Sequence, residues 1–301
     1  MDKIFPDFFI GGSQKCGTTS LALWLDQHPL LRCSDPKEPN FFSNRAQAEL
    51  MGDFSSYYAA PRGDGELLFE ATTSYMTDKV ALENIRKELG SDIKFIFILK
   101  DPVKRAVSSY YHLLKHHAEK RDLEEVFANI PDDPAQIFDF ESQEIKKALD
   151  NKTIDITRYR GKYDNYTWAY RYVSNGLFTQ YIAQFVDVFG KDNVLCLNLS
   201  WFHSQPEVEF AKVTKFLGVP AFENIPETQS VYNKTKISSY LYCDAIRTSP
   251  TLLAGARFLQ RVCRKIVRKD YFAVAPKPLS TQTEQKLRKV FKAEFDFLNT
   301  L

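Results

Sequence analysis

A short apolar segment that ends in a glycine-containing loop and continues as a helix is the strongest constraint on the fold of this chain. The run Phe8-Phe9-Ile10 predicts a buried strand, and the apolar positions over residues 18–28 predict a helix that ends before Pro29. The loop between them reads Gly12-Ser13-Gln14-Lys15-Cys16-Gly17-Thr18-Thr19. A helix N-terminus carries unpaired N–H groups and the positive end of the helix dipole, so this unit predicts an anion-binding site.

The loop differs from the common nucleoside-triphosphate loop GxxxxGK[ST], because Thr18 stands where that motif has lysine. The lysine lies three residues earlier, at Lys15, where it would reach the outermost group of a bound anion. The hydroxyl groups of Thr18, Thr19 and Ser20 add hydrogen-bond donors. A loop that only reverses the chain is the alternative, but the strand before it and the helix after it favour the anion site.

Strands alternate with helices along most of the 301 residues. Further buried strands are predicted at 30–33, 67–70, 94–99 and 194–199, and further helices at 78–89, 103–117, 177–189 and 206–217. This alternation predicts an α/β fold: a P-loop-like three-layer sandwich in which a central, mostly parallel sheet is flanked by helices. We interpret 1–301 as one domain, in which 120–170 forms a lid or insert and 230–275 covers the nucleotide or substrate. The aromatic side chains of Tyr166, Trp168, Tyr170 and Tyr172 alternate as in a strand or an extended lid, with packing as their expected role.

Composition and charge exclude several classes of protein. A formal net charge of +2 does not indicate a nucleic-acid-binding protein, and 44% hydrophobic residues fit a globular domain. The five cysteines and five histidines lack the spacing of a disulfide framework or a metal site, which fits a reducing compartment. Without a leader-like segment or an apolar stretch of about 18–20 residues, we expect a cytoplasmic protein with no membrane span.

Two further segments carry charged groups where a ligand could bind. Lys100 ends the clearest predicted strand and Ser108 follows on the next helix, so both belong to the sheet edge of the first loop. The segment Lys37-Glu38-Pro39-Asn40-Phe41-Phe42 holds a carboxylate among prolines and aromatic residues, where partial desolvation would tune it as a base. An ordinary charged helix start and a solvated turn are the respective alternatives.

Together these segments resemble the sulfotransferases that use 3′-phosphoadenosine-5′-phosphosulfate (PAPS), in the branch of the heparan sulfate sulfotransferases and bacterial relatives. The resemblance implies that Lys15 contacts the oxygen between phosphate and sulfuryl, and that Ser108 binds the 3′-phosphate, with Lys100 in place of the usual arginine. Glu38 matches the glutamate that deprotonates the acceptor, and Lys37 is its basic neighbour. Phe41 is a further candidate for substrate binding, although Phe41 and Phe42 are expected to form core or cleft wall more than a specific contact. The loop residues implied in donor binding are Gly12, Ser13, Gln14, Lys15, Cys16, Gly17, Thr18, Thr19 and Ser20.

The chain also departs from the pattern of that branch. Ala71 lies where the polysaccharide-modifying enzymes commonly carry lysine, which disfavours a heparan-like acceptor. Relatives often carry arginines that close over the nucleotide near residues 233–236, and here Lys234 and Lys236 are the candidates. His112 lies one helical turn after Ser108 and is the reserve base.

The predicted function is transfer of a sulfuryl group from PAPS to a hydroxyl or amine of a small-molecule acceptor, such as a metabolite or natural product. The product is 3′-phosphoadenosine-5′-phosphate (PAP), and no metal is required. A carbohydrate-directed sulfotransferase is the alternative acceptor class. A P-loop kinase or nucleotide hydrolase is disfavoured by Thr18. A non-catalytic nucleotide-binding module, docked through the basic helix predicted at 252–268, is disfavoured by the presence of both Lys15 and Glu38.

Overall fold

Five parallel strands form the central sheet of the structure, a computed structural model that describes residues 4–43, 54–157, 166–228, 236–267 and 273–301. The strands are β1 (Phe8–Gly12), β2 (Leu31–Cys33), β3 (Leu67–Glu70), β4 (Lys94–Leu99) and β5 (Val194–Asn198). Their order across the sheet is β2-β3-β1-β4-β5, and each neighbouring pair is parallel. The two strands that lead into the predicted anion-binding segments, β1 and β4, therefore lie side by side.

Helices follow the strands in the predicted order. Those in the described ranges are α1 (Thr18–Leu25), α2 (Lys79–Leu89), α3 (Pro102–Lys115), α4 (Leu123–Phe127), α5 (Ile137–Asp150), α6 (Phe178–Phe189), α7 (Leu199–Ser204), α8 (Pro206–Leu217), α9 (Asp244–Thr248), α10 (Pro250–Val267), α11 (Thr281–Val290) and α12 (Lys292–Leu298). Two short strands, β6 (Ile237–Ser238) and β7 (Ala273–Val274), pair antiparallel in a separate sheet. The predicted strands and helices are confirmed. Each of them was predicted from the apolar pattern of its own residues, which does not depend on distant parts of the chain.

The central sheet is covered on both faces, because successive strand side chains point to opposite sides. On one face Phe95 packs against Phe185 and Phe189 of α6, with ring centroids 4.8 and 4.7 Å apart. On the other face Ile96 belongs to the same buried cluster as Trp24 of α1. Burying each such side chain contributes about 1.5–3 kcal/mol. The three-layer α/β sandwich predicted from the alternation of strands and helices is confirmed.

A third buried cluster gathers around α3 and includes side chains from the segment 120–170. Within that segment α4 buries Phe127 and α5 buries Ile137 and Ile145, so its described part contains packed helices. Capping accounts for the start of α4: Asp122 and Glu125 form a reciprocal capping box. Whether 120–170 acts as a lid stays a prediction.

The aromatic residues Trp168, Tyr170 and Tyr172, at or just after the end of this segment, do not form the expected strand or extended lid. Trp168–Tyr170 form a 3₁₀ helix instead of a strand or extended lid, and Trp168, Tyr170 and Tyr172 are buried. The Tyr172 hydroxyl donates to the Glu119 carboxylate at 2.9 Å. An alternating pattern of aromatic residues forms a strand only where a neighbouring strand can pair with it. Here these side chains pack in the core around α3 instead.

Within the described ranges no helix has both the length and the apolar content needed to cross a bilayer. The same residues contain no group of three or more His, Cys, Asp and Glu side chains placed to hold a metal ion.

Candidate active site

The loop between β1 and α1 is a tight turn held against the neighbouring strand. The Ser13 N–H donates to the Ile98 carbonyl at 3.0 Å, and the Cys16 N–H donates to the Ser13 carbonyl at 3.1 Å. Gly17 precedes α1 with φ 96°, a left-handed conformation that favours glycine. A Cβ atom at Gly17 would lie 2.9 Å from a methyl carbon of Leu199, so a larger residue would also displace that side chain. The loop therefore has the strand–turn–helix geometry of an anion cradle.

The predicted loop residues divide into two groups by exposure. Ser13, Gln14, Cys16 and Thr18 are buried and build the loop, and the Gln14 amide oxygen accepts a hydrogen bond from Ser109 of α3 at 3.0 Å. Lys15, Gly17, Thr19 and Ser20 are partly exposed. The second group provides the ammonium, hydroxyl and backbone groups that a bound anion could reach.

Lys15 lies at the centre of a group of charged side chains. Its backbone is left-handed, with φ 67°. The pKa of Lys15 is lowered to about 8, mainly by burial and also by the positive charges of Lys100 and Lys115, while Glu38 and Cys16 act in the opposite direction. The structure thus brings the predicted cation and the predicted carboxylate close enough for their charges to interact.

The second predicted segment begins where β4 ends. Lys100 is the next residue, and burial, followed by the charge of Arg105, lowers its pKa, while Cys16 raises it. Asp101 caps α3 by accepting from the Lys104 N–H at 3.0 Å. Ser108 is partly exposed on α3, next to the buried Ser109 that bonds the loop. The structure therefore brings the two predicted anion-binding segments together at one edge of the sheet.

The carboxylate of Glu38 is held at both oxygens. The Lys37 ammonium donates to Glu38 Oε1 at 2.7 Å and to the Ala71 carbonyl at 2.8 Å. The Thr73 hydroxyl donates to Glu38 Oε2 at 3.4 Å. About one third of the Glu38 side chain, 35%, stays exposed, so the carboxylate is oriented by neighbours and still accessible to a ligand.

Behind Glu38 lies a buried carboxyl group that sequence analysis missed. Glu70 is fully buried at the end of β3, and burial raises its pKa to about 7. It accepts from the Thr72 N–H at 3.0 Å and the Thr72 hydroxyl at 2.5 Å. Thr72 in turn accepts from the Asn40 N–H at 3.2 Å, two residues after Glu38. A carboxylate at the end of an otherwise apolar strand was the available signal, since such a residue is seldom buried without partners.

Phe41 requires a correction. It begins the 3₁₀ helix Phe41–Ser43 and is only 2% exposed, with its ring centroid 5.0 Å from Phe42 and 4.5 Å from Phe54. Phe41 therefore packs in the core behind Glu38 instead of forming an acceptor-binding surface, because burial of its ring is worth more than exposure at a cleft.

Two of the three remaining candidates, His112 and Lys236, lie on or beside α3. His112 is partly buried, and its ring centroid is 4.7 Å from that of His116. Lys236 is exposed at the start of β6, which packs against α3. Lys234 lies outside the described residues. The roles predicted for these three residues stay predictions.

Known proteins share both the sequence pattern and the fold. Residues 5–253 match the family model described as the sulfotransferase domain. Human heparan sulfate glucosamine 3-O-sulfotransferase 3B1 is 28% identical over 237 residues, 78% of this chain and 51% of that protein. The bifunctional heparan sulfate N-deacetylase/N-sulfotransferase 1 of Xenopus tropicalis is 26% identical over 224 residues, 71% of this chain and 22% of that protein. The chain thus spans about half or less of the length of these relatives.

Among solved structures, a sulfotransferase from Alicyclobacillus acidocaldarius is similar with a TM-score of 0.55 and 21% sequence identity. The match covers 89% of this chain and 97% of that one, which supports the same fold. The family model spans most of the chain, and its residues include the loop, the Glu38 segment and the α3 junction. This chain belongs to the sulfotransferase family.

Proposed function

We propose that this enzyme transfers a sulfuryl group from PAPS to a hydroxyl or amine of a small-molecule acceptor and releases PAP. The observation that carries the proposal is the proximity of Lys15 and Glu38, which are close enough for their charges to interact. One group can neutralise a leaving oxygen and the other can accept a proton, as group transfer between two oxygens requires.

The two segments at the sheet edge would bind the two ends of the donor. The loop backbone, with Lys15, Thr19 and Ser20, suits the 5′-phosphosulfate. Lys100 and Ser108 suit the 3′-phosphate. The hydrogen bond between Gln14 and Ser109 holds the loop against α3, and so holds the two proposed binding regions together. Lysine pairs with phosphate as a point charge, without the two-pronged contact of arginine, so Lys100 would bind the 3′-phosphate with less geometric specificity.

In the transfer step the acceptor oxygen or nitrogen attacks sulfur in line with the bond to the 5′-phosphate oxygen. A new bond from sulfur to the acceptor forms as the sulfur–oxygen bond to the phosphate breaks, and the electron pair of that bond leaves on the phosphate. Glu38 takes the acceptor proton, and Lys15 stabilises the charge on the leaving phosphate. The Lys37 ammonium and Thr73 hydroxyl keep the Glu38 carboxylate oriented towards the acceptor.

A carbohydrate acceptor is the second candidate. Ala71 lacks the lysine of the polysaccharide-modifying enzymes, but the Lys37 ammonium lies 2.8 Å from the Ala71 carbonyl. The Lys37 ammonium therefore places a positive charge beside Ala71. The polysaccharide-modifying enzymes commonly have a lysine at the position of Ala71 itself.

Calorimetry and a transfer assay test the proposal together. We expect PAP to bind more tightly than ATP with magnesium, because the chain has Thr18 where a triphosphate loop has lysine. Radiolabelled PAPS should then transfer label to members of a mixed set of phenols, amines and sugars. Tighter binding of ATP with magnesium, or no binding of PAP, would overturn the proposal.

A further inference from the structure

One face of α3 carries polar side chains from the predicted 3′-phosphate region towards Lys15. Ser108, His112 and Lys115 are spaced four and three residues apart, so they lie on one face of the helix. Ser108 and His112 are partly exposed and Lys115 is exposed. The opposite face holds buried apolar side chains that include Ala106, Tyr110 and Leu113. The helix therefore presents this polar face away from the core.

The start of this face is attached to the loop. Ser109, next to Ser108, donates to Gln14, and Lys15 is the residue that follows Gln14. The long side chain of Lys15 lies close enough to Lys115 for the two positive charges to interact. The charged and titratable groups around Lys15 that shift its pKa are Lys100, Lys115, Glu38 and Cys16.

The ammonium groups of Lys100 and Lys115 thus both lie near that of Lys15. Among the described residues, the carboxylates that act on this group are Glu38, which Lys37 already contacts, and Asp101, which acts on Lys100 and also lies 3.6 Å from the Arg288 guanidinium. Among the residues that the structure describes, no carboxylate forms an ion pair with Lys115. Like charges gathered at a sheet edge are destabilising unless an anion offsets them. The cluster therefore fits a multiply charged anion better than a neutral ligand.

We propose that Lys115 is a further donor-binding residue, which places a second ammonium group beside Lys15 at the phosphosulfate end of the site. This inference rests on the proposed function, since it takes PAPS as the donor. Lys15 emerges from the loop itself, whereas Lys115 approaches from α3 on the more exposed side. Lys115 would thus contact oxygens of the 5′-phosphate, which PAP and 5′-AMP also carry, and the two cations would hold the phosphosulfate in line with the acceptor.

Binding of three nucleotides to Lys115→Ala tests this assignment by calorimetry. PAP and 5′-AMP carry the 5′-phosphate, whereas 3′-AMP carries only the 3′-phosphate. We expect roughly three- to tenfold weaker binding of PAP and 5′-AMP, as for loss of one charge-assisted contact, and no change for 3′-AMP. Lys115→Arg, which keeps the charge, should restore PAP binding. Lys87→Ala, which removes an exposed lysine of α2, is the matched control and should bind all three as the wild type does.

The pH dependence provides a second readout that a purely structural role would not change. PAP binding to the wild type should weaken as pH rises through about 8, where Lys15 loses its proton. Without the charge of Lys115 the pKa of Lys15 rises, so this weakening should move to higher pH in Lys115→Ala.

Three outcomes distinguish the alternatives. Wild-type affinity for PAP and an unchanged alkaline midpoint in Lys115→Ala would overturn the assignment. Equal losses for PAP and 3′-AMP would also overturn it, because they would reflect a general effect on the site. Failure of the wild type to bind PAP at all would instead overturn the proposed function.

Discussion

The side chains of Gln14 and Ser109 are joined by a hydrogen bond of 3.0 Å, in which the serine hydroxyl donates to the amide oxygen. Both residues are buried, so the bond is shielded from competition by water. It connects the loop that carries Lys15 to the helix that carries Ser108. The packing of β1, β4 and α3 consequently sets the distance between the two proposed phosphate sites.

Replacing Lys15 tests the proposed stabilisation of the leaving phosphate. We expect Lys15→Ala to lower kcat by roughly 10²–10³-fold, as for loss of one group that stabilises transition-state charge, and to weaken PAP binding far less. In the wild type, kcat/KM, which reports the pKa values of the free enzyme, should fall as pH rises through about 8, because the neutral amine cannot offset negative charge. Steady-state assays with radiolabelled PAPS measure both effects. Unchanged turnover in Lys15→Ala would remove this residue from the mechanism.

Replacing Glu38 tests the proposed base. Glu38→Gln keeps the shape of the side chain but cannot take a proton, so transfer should fall by about 10²–10⁴-fold while PAP still binds. Lys37→Ala should lower the transfer rate less, because it removes only the 2.7 Å hydrogen bond that orients the Glu38 carboxylate and leaves the base itself. Single-turnover transfer and calorimetry separate the two steps. If Glu38→Gln keeps full activity, His112 becomes the better candidate for the base.

Replacing Lys100 tests recognition of the 3′-phosphate. Lys100→Ala should weaken binding of PAP more than binding of 5′-AMP, which lacks that phosphate. Lys100→Arg should strengthen PAP binding, because arginine adds a two-pronged contact, provided that the larger group fits this mostly buried site. Competition calorimetry with both nucleotides provides the measurement. Equal losses for PAP and 5′-AMP in Lys100→Ala would show that this lysine does not read the 3′-phosphate.

The buried carboxyl of Glu70 predicts a pH-dependent stability. Its pKa is raised by burial from 4.5 to about 7, so the folded protein binds more protons than the unfolded chain between these values. Stability from this group is therefore present at pH 4.5 and is lost as pH rises through 7. Glu70→Gln, which cannot ionise, should be more stable than the wild type at pH 8 by about 2–3 kcal/mol and nearly equal to it near pH 5.

Urea unfolding of both proteins at pH 5 and pH 8 checks the Glu70 prediction. Glu88→Gln, an exposed change on α2, is the control for removal of a surface charge. A Glu70→Gln protein that is less stable than the wild type at both pH values would contradict the prediction. That result would mean that the hydrogen bonds from Thr72 to the ionised carboxylate outweigh the cost of burying its charge.

Local sequence patterns were sufficient to predict the strands of the sheet and the helices that follow them. The apolar run Phe8-Phe9-Ile10, the glycine-containing loop and the helix after it each depend on residues adjacent in the chain, and all three are present. The same holds for β4 and the start of α3 at Pro102. Backbone sterics, capping and burial of apolar side chains act over a few residues, so a sequence pattern contains the information they need.

Local sequence patterns could not predict side-chain positions that depend on contacts between distant segments of the chain. Phe41 looked like a residue of the acceptor surface but packs against Phe54, and Tyr172 lies beside Glu119 instead of in a strand. Lys115 had no motif to mark it, because its significance comes from its distance to Lys15, 100 positions earlier in the chain.

The sequence by itself determined the α/β architecture, the strand–loop–helix unit that is the candidate anion-binding site, and the pair of candidate catalytic residues, Lys15 and Glu38. Only the tertiary structure decided the order of the strands, the burial of Glu70 and the meeting of Lys15, Lys100 and Lys115 at one edge of the sheet. The physical reason is that burial and Coulomb interactions depend on distance in space, which the parallel pairing of β1 with β4 and the packing of α3 establish.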